Sequence, residues 1–315
     1  MKILVTGGAG FIGSNLTDAL IKQKHRVSII DNLSTGVKEN LNPKTKFYRA
    51  DITRFGQIEN IIKKERPQVI FHLAAQIDVR KSVENPVFDA KTNILSSINL
   101  IKLACENKVK KFIFASTGGA IYGDTSNRPT PETCSEWPLS PYGIAKLAID
   151  KFLYYYHQVH ELNFASLRYG NVYGPRQNPY GEAGVVAIFL NRMLNNKQPI
   201  INGDGKQTRD YVYVEDVVES NLLALKHFKK SGIYNVGTSK ETSVNQIFAE
   251  INKHFGNKFK EVHGPAKPGE QKTSCLEFAK IKKDLGWKPR IKLNQGIKKT
   301  FKWFEVGTKI KKDTG

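Results

Sequence analysis

The chain's 315 residues, 40% apolar and 10% aromatic, suffice for one large α/β domain or for a large and a small lobe on a shared core, and no low-complexity tract suggests disorder. Lys and Arg outnumber Asp and Glu by 49 to 29, a net charge of +20, and from residue 226 onward by 21 to 8. No aromatics interleave with that basic stretch at a stacking rhythm, so it reads as a solvated Lys-rich surface and a nucleic-acid partner is not expected.

No apolar run approaches the roughly 18 residues that span a bilayer, and the N-terminal residues read as a buried strand and not as a signal peptide, so a cytoplasmic location is expected. Cys105, Cys134 and Cys275 are too few and too scattered for a thiolate metal site or a disulfide framework.

Lys2 to Thr6 is the first predicted strand. It runs into Gly7-Gly8-Ala9-Gly10-Phe11-Ile12-Gly13, and residues 11 to 24 then carry a helical period. Gly8, Gly10 and Gly13 fit one dinucleotide-binding spacing, and Gly7, Gly10 and Gly13 fit another. Between a strand and a helix, such glycines allow a tight turn and let a pyrophosphate approach the backbone at the helix N-terminus. Arg26 to Ile30 forms the second strand. Asp31 ends it, 18 residues past Gly13, where a carboxylate can accept hydrogen bonds from the adenosine ribose. Asn32, Leu33 and Ser34 supply no cation for a 2′-phosphate, so NAD is expected over NADP.

Phe47 to Arg49 is the third strand, and Asp51-Ile52 behind it either meets the adenine amino group or caps a loop. After a helix over 54 to 65 and a strand from Val69 to His72 come Leu73-Ala74-Ala75, small residues that suit either a passing cofactor or a packed core. A helix is expected over 87 to 107, a strand from Lys111 to Ala115, a helix over 141 to 160 and a strand from Phe164 to Arg168. Nearly continuous apolar strands alternating with helices imply a doubly wound parallel α/β (Rossmann) sheet.

The chemistry centres on Tyr142-Gly143-Ile144-Ala145-Lys146. Four residues apart on a helix, Tyr142 and Lys146 share one face, where the ammonium can stabilise a phenolate. Ser116 and Thr117 end the fifth strand, at the carboxyl edge where a substrate sits, and either hydroxyl can bond a sugar oxygen or cap a turn; Thr117 is the preferred reading. Gly118-Gly119-Ala120 contains no acid of the kind an elimination needs, which favours reversible hydride exchange.

Beyond Gly170 the pattern loosens, with a loop around Pro175, Pro179, Gly181 and Gly184. Short strands are expected at Pro199 to Asn202, Asp210 to Val214 and Tyr234 to Gly237, and helices near 216–228, 243–254 and 294–304. Residues 1–170, with returning segments near 203–237, are expected to bind the dinucleotide. Residues 171–315 are expected to form mainly a smaller interleaved substrate lobe.

These motifs resemble the extended short-chain dehydrogenase/reductases of the NAD-dependent epimerase/dehydratase family, and within it the UDP-glucose 4-epimerase group. The match runs in order through the glycine turn, Asp31 to Ser34, His72 to Ala75, Asn93, Ser116-Thr117, Tyr142 to Lys146, Arg168 to Arg176 and Thr208 to Val212. The resemblance implies NAD held by the turn (Gly7 and Gly10 to Gly13, with Phe11 and Ile12), Asp31 to Ser34, Asp51, Ile52, Leu73 to Ala75, Asn93, Ser116, Tyr142 and Lys146. It implies UDP-glucose and UDP-galactose as substrates, with Tyr142 as base, Lys146 lowering its pKa and Thr117 orienting O4.

For the UDP-sugar it implies Asn171 and Arg209 at the phosphates, with Arg209 open to an ion pair with Asp210 or Glu215 instead, and Val186 and Asn202 at the uridine. Lys267 stands where the family commonly has a diphosphate-gripping Arg, and Ser274 falls near a gate whose small side chain admits an N-acetyl group. A homodimer built on the helices near 87–107 and 141–160 is implied as well. A UDP-N-acetylglucosamine or UDP-glucuronate 4-epimerase is the alternative on the same relay. A non-catalytic, nucleotide-gated RNA-binding member of the fold has no need of the Tyr142–Lys146 pair.

Overall fold

Seven strands lie parallel in one sheet: β1 (Lys2–Thr6), β2 (Arg26–Asp31), β3 (Lys46–Arg49), β4 (Val69–His72), β5 (Lys111–Thr117), β6 (Asn163–Tyr169) and, after a long excursion, Gly232–Val236. From one edge the order is β3, β2, β1, β4, β5, β6 and then Gly232–Val236, so the order in which strands are added reverses between β1 and β4. That switch opens a crevice at the carboxyl ends of the strands, where sheets of this kind bind ligands. The computed structural model describes residues 1–180, 184–266 and 271–313, the side chains of 308–313 excepted. Among the described residues no helix is long and apolar enough to cross a membrane.

Strand alternation decides which residues serve each face. Ile3, Val5, Val27 and Ile29 pack with Leu16 and Leu20 of α1 (Phe11–Lys22). Leu4 and Ile30 point the other way, into a second core with Ile58 and Ile62 of α2 (Phe55–Glu65).

The helix expected over 87–107 is broken into pieces. It is preceded by α3 (Val79–Glu84), capped by Asp78, and begins as α4 (Pro86–Ala90), capped by Asn85 with Pro86 in its first turn. A π-helical turn (Lys91–Leu95) then leads into α5 (Ser96–Glu106). The cause of the first break is local: Asn85 can cap while Pro86, lacking an N–H, suits only a first turn. A long unbroken helix, α6 (Pro141–His160), follows β5 and is capped by Ser140.

Past β6, β7 (Asn171–Tyr173) pairs in parallel with Tyr211–Tyr213. A third core joins these to α7 (Val185–Leu194) and to helices Val244–Asn252 and Leu293–Asp313. The strand expected at Pro199–Asn202 shortens to β8 (Ile201–Asn202), and Thr208–Arg209 makes β9. Val214, expected in a strand, instead opens the helix Val214–Lys226.

Candidate active site

The glycine turn is built by steric necessity. Gly7 has φ +74°, and a Cβ on it would lie 2.7 Å from the Ala74 nitrogen in the loop after β4. A Cβ on Gly13 would lie 2.1 Å from the Gly7 carbonyl oxygen. Gly10 is the N-cap of α1, and no side chain caps that helix, so its first-turn N–H groups, those of Phe11 and Ile12 included, face a ligand position without a capping bond. A small, uncapped cradle at the switch point fits the diphosphate of a dinucleotide. Gly13→Ala should therefore cost about 1–3 kcal/mol by overpacking and release the cofactor; NAD recovered from the denatured variant, compared with the parent, measures it.

Asp31 closes this cradle. Its Oδ2 accepts the Ala9 N–H at 3.0 Å and its Oδ1 the Leu33 N–H at 2.8 Å, and a Cβ on Gly36 would come within 2.8 Å of Oδ1. The carboxylate thus fastens turn to strand and retains lone pairs for a ribose hydroxyl. Gly36, which the motif reading missed, is what leaves room beside it. Asn32 donates to Asp51 Oδ2 at 2.9 Å, and Asn32 Oδ1 accepts the Ser34 N–H.

Asp51 Oδ1 accepts from the backbone and hydroxyl of Thr53. Partial burial opposes ionisation, but the bonds from Thr53 and Asn32 prevail and hold the Asp51 carboxyl below its ordinary value. Of the two readings of Asp51, the loop cap is the one built in the chain; Ile52 beside it is buried in the core under β3.

The loop after β4 is held from below. Leu73 N–H donates to the Thr6 carbonyl at 3.1 Å and Ala74 N–H to the Thr6 hydroxyl at 3.2 Å. That hydroxyl lies 2.7 Å from Nδ1 of His72, whose Nε2 lies 2.8 Å from Ser97 Oγ. Burial, with a smaller push from Lys146, lowers His72 to about 3, so it bridges as a neutral ring. Ala75 lies just beyond this anchored pair. Asn93 is buried, and its amide is engaged inside the protein: Oδ1 accepts the Gln76 N–H, while Nδ2 donates to the Gln76 carbonyl and to Asp89. It shapes the cofactor loop; neither donor hydrogen remains for a ligand.

Lys146 is buried, its Nζ donating to the Ala115 carbonyl at 2.7 Å, 4.6 Å from the Phe114 ring centroid and 5.9 Å from that of Tyr142. Burial lowers it to about 8, against the pull of Asp150 and Asp89. Tyr142 is half-buried, and burial together with the charge of Asp89 pushes its phenol above the ordinary value. The sequence suggested that the ammonium would lower it. In the folded chain burial and the Asp89 charge raise it instead, so lowering the phenol takes the positive charge of an oxidised nicotinamide ring beside it, which the sequence reading also calls for.

Consecutive positions on β5 separate the two hydroxyls. Ser116 is sealed inside, within reach of the buried Asp150 carboxylate but without a hydrogen bond of standard geometry. Thr117 faces the crevice. A Cβ placed on Gly119 would stand 3.7 Å from Asn171 Oδ1, 3.8 Å from Ser274 Oγ and 4.0 Å from Thr117 Oγ1, so three polar groups from distant parts of the chain converge on one small space.

Arg209 Nη1 donates to the carbonyls of Thr208 and Lys272. Asp210 is occupied by Thr238, Ser239 and Leu276, and Glu215 pairs with Lys299. Asn202 sits on β8, its carbonyl accepting from Gln207. The side chain of Val186, expected at the uridine, is instead buried in the third core, because α7 turns that face inward. Lys267 lies outside the described residues.

A glycine cradle at the switch point of a doubly wound sheet, with a Tyr–Lys pair across the crevice, defines a dinucleotide-dependent enzyme of the short-chain dehydrogenase/reductase type. The chain belongs to the NAD dependent epimerase/dehydratase family, whose model matches residues 3–237. It is 46% identical to a putative UDP-glucose 4-epimerase of Methanocaldococcus jannaschii, over 96% of this chain and 98% of that protein. Its fold superposes on the UDP-glucose 4-epimerase of Thermotoga maritima, solved with UDP-glucose, at 47% identity and a TM-score of 0.94, covering 98% and 99% of the two chains. The Thermus thermophilus UDP-glucose 4-epimerase, solved with NAD, matches at 40% identity and a TM-score of 0.91, covering 96% and 99%.

Proposed function

We propose that the protein interconverts UDP-glucose and UDP-galactose through a 4-keto sugar. The observation that carries this reading is the placement of Tyr142 and Lys146 beside β5, with Lys146 anchored on Ala115 two residues before the crevice-facing Thr117. NAD, the cofactor of the family, supplies acceptance and return of a hydride at C4 when bound. Gly7, Gly10, Gly13 and Asp31 would hold it, with the first-turn N–H groups of α1 at its diphosphate and Lys146 at its nicotinamide ribose.

The protein's own residues manage the proton. Tyr142 takes it from O4, keeps it while the keto sugar turns over, and returns it to O4 once the opposite face of C4 is presented for reduction; Thr117 orients O4. Asn171 and Arg209, with Lys267, hold the diphosphate, and Asn202 the uridine side. The same reading divides the chain into a cofactor part, 1–170 with the returning 203–237, and a substrate lobe in 171–315, and places it in the cytoplasm. It also pairs two copies through an apolar face on α4, the π turn and α6, where Val87, Phe88, Leu95, Ile144, Tyr155 and Val159 are exposed.

The test is direct. Purified protein given UDP-galactose should yield UDP-glucose without added reductant, and absence of conversion with NAD supplied overturns the reading. Because Ser274 and Gly119 are small where a bulky residue would restrict the hexose, the N-acetylated UDP-hexose should turn over too; strict selectivity for UDP-glucose would refute that breadth.

A further inference from the structure

Asp89, on α4, is 1% exposed and belongs to none of the motifs. Its Oδ1 accepts from Gln76 Nε2 and from Asn93 Nδ2, both at 2.9 Å. Gln76 in turn exchanges hydrogen bonds with Asp78, its Nε2 donating to the Asp78 carbonyl and its Oε1 accepting the Asp78 N–H. One carboxylate oxygen therefore ties the cofactor loop after β4 to the π-helical turn that carries Asn93. The second oxygen, Oδ2, is sealed from solvent with no hydrogen-bond partner. Folded proteins seldom leave a buried carboxylate oxygen idle, and an interrupted helix at this point marks a site where geometry has been adjusted.

The helices α3 and α4 pack on α6, where Ser82 Oγ accepts the Tyr142 N–H at 3.2 Å. The Asp89 charge acts on both Tyr142 and Lys146. Other groups around the pair are accounted for: Asp150 on α6 is engaged by Arg168 and Ser166, His72 on β4 is neutral, and β5 offers the Ala115 carbonyl and the Phe114 ring.

We infer that Asp89 is a positioning residue for the Tyr142–Lys146 pair, clamping the cofactor loop with one oxygen and setting the field in which the pair exchanges its proton. The inference rests on the epimerase reading for its chemistry. A base that must take a proton and later return it gains from an anion that favours the protonated phenol, and the same anion favours the ammonium over the free amine. Removing the charge alone should then move both limbs of the pH profile together, toward lower pH.

Asp89→Asn preserves the Oδ1 acceptor and the shape while removing the charge. Expected is a folded, NAD-containing variant whose kcat/KM profile slides to lower pH without narrowing. Above pH 8 it should fall about tenfold below the parent, an opposite charge at close range being worth on the order of one pH unit. In parallel, the NMR titration midpoint of the Lys146 side chain should drop below that of the parent. Asp89→Glu, which keeps the charge, should keep the parent midpoint, and it decides the matter if the Asn variant does not fold.

A folded Asn variant with an unmoved midpoint and a profile merely scaled down overturns the inference, as does a folded Glu variant with a shifted midpoint. If the parent fails to convert UDP-galactose, the epimerase reading falls, while the Lys146 midpoint still decides the role of Asp89.

Discussion

Tyr142→Phe should lower kcat by about a thousandfold, within the range attributable to a positioned acid–base group, while leaving the unfolding temperature and bound NAD near those of the parent. The size of the loss follows from the lack of a substitute. His72 is sealed with both ring nitrogens engaged, by Thr6 and Ser97. Asp89 and Asp150 are buried. The Lys146 ammonium is bound to the Ala115 carbonyl. No other described base has been placed at the crevice beside Thr117, so water would have to take the O4 proton.

The pH dependence has a definite sign. The phenol is raised by burial and by Asp89, so the phenolate, and with it activity, grows as pH rises until the ammonium is lost above about 8, Lys146 having been lowered by its own burial. Steady-state rates between pH 6 and 10 for parent and variant check both statements; a variant with a tenth or more of parental kcat would remove Tyr142 from the mechanism.

The parts of this site that were legible in the sequence are those whose chemistry is local in the chain. Gly7 to Gly13 and Asp31 announce themselves because the glycines recur at a fixed spacing between a strand and a helix, Gly10 and Gly13 closing on the Gly7 carbonyl within the turn itself, and the strand that positions Asp31 is mostly apolar. Tyr142 and Lys146 are legible because helical spacing alone puts them on one face.

What the sequence hid depends on the third dimension. Ser116 and Thr117 are equivalent on paper, and only the pleat of β5 sends one toward Asp150 and the other into the crevice with Asn171 and Ser274. Asn93 carries the family pattern, yet its amide serves Gln76 and Asp89, partners 17 and 4 residues away that no motif links. The same holds for Val186, whose apolar side chain follows the inward face of α7. The break before α4 could have been read from Asn85-Pro86, but nothing in Lys91–Leu95 signals a π turn.

Arg168 shows how the core reaches the site, and Arg168→Met should be the most destabilising single change, by about 3–5 kcal/mol. The guanidinium is fully buried on β6, its Nε donating to Asp150 at 2.8 Å, Nη1 to the Tyr122 hydroxyl at 2.8 Å, and Nη2 to Glu136. Asp150 lies one turn beyond Lys146 on α6 and is as deeply buried, so burial already raises its carboxyl despite Arg168. Removing the cation strands that carboxylate. It must then take up a proton or draw on Lys146, and the second course pulls the ammonium from the Ala115 carbonyl.

Denaturant unfolding measures the first effect. The double variant Arg168→Met with Asp150→Leu separates the causes: because replacing a whole buried pair is far milder than breaking one, it should recover most of the lost stability. Equal losses in the single and double variants would mean that packing around Arg168, and not its charge, holds β6 to the catalytic helix.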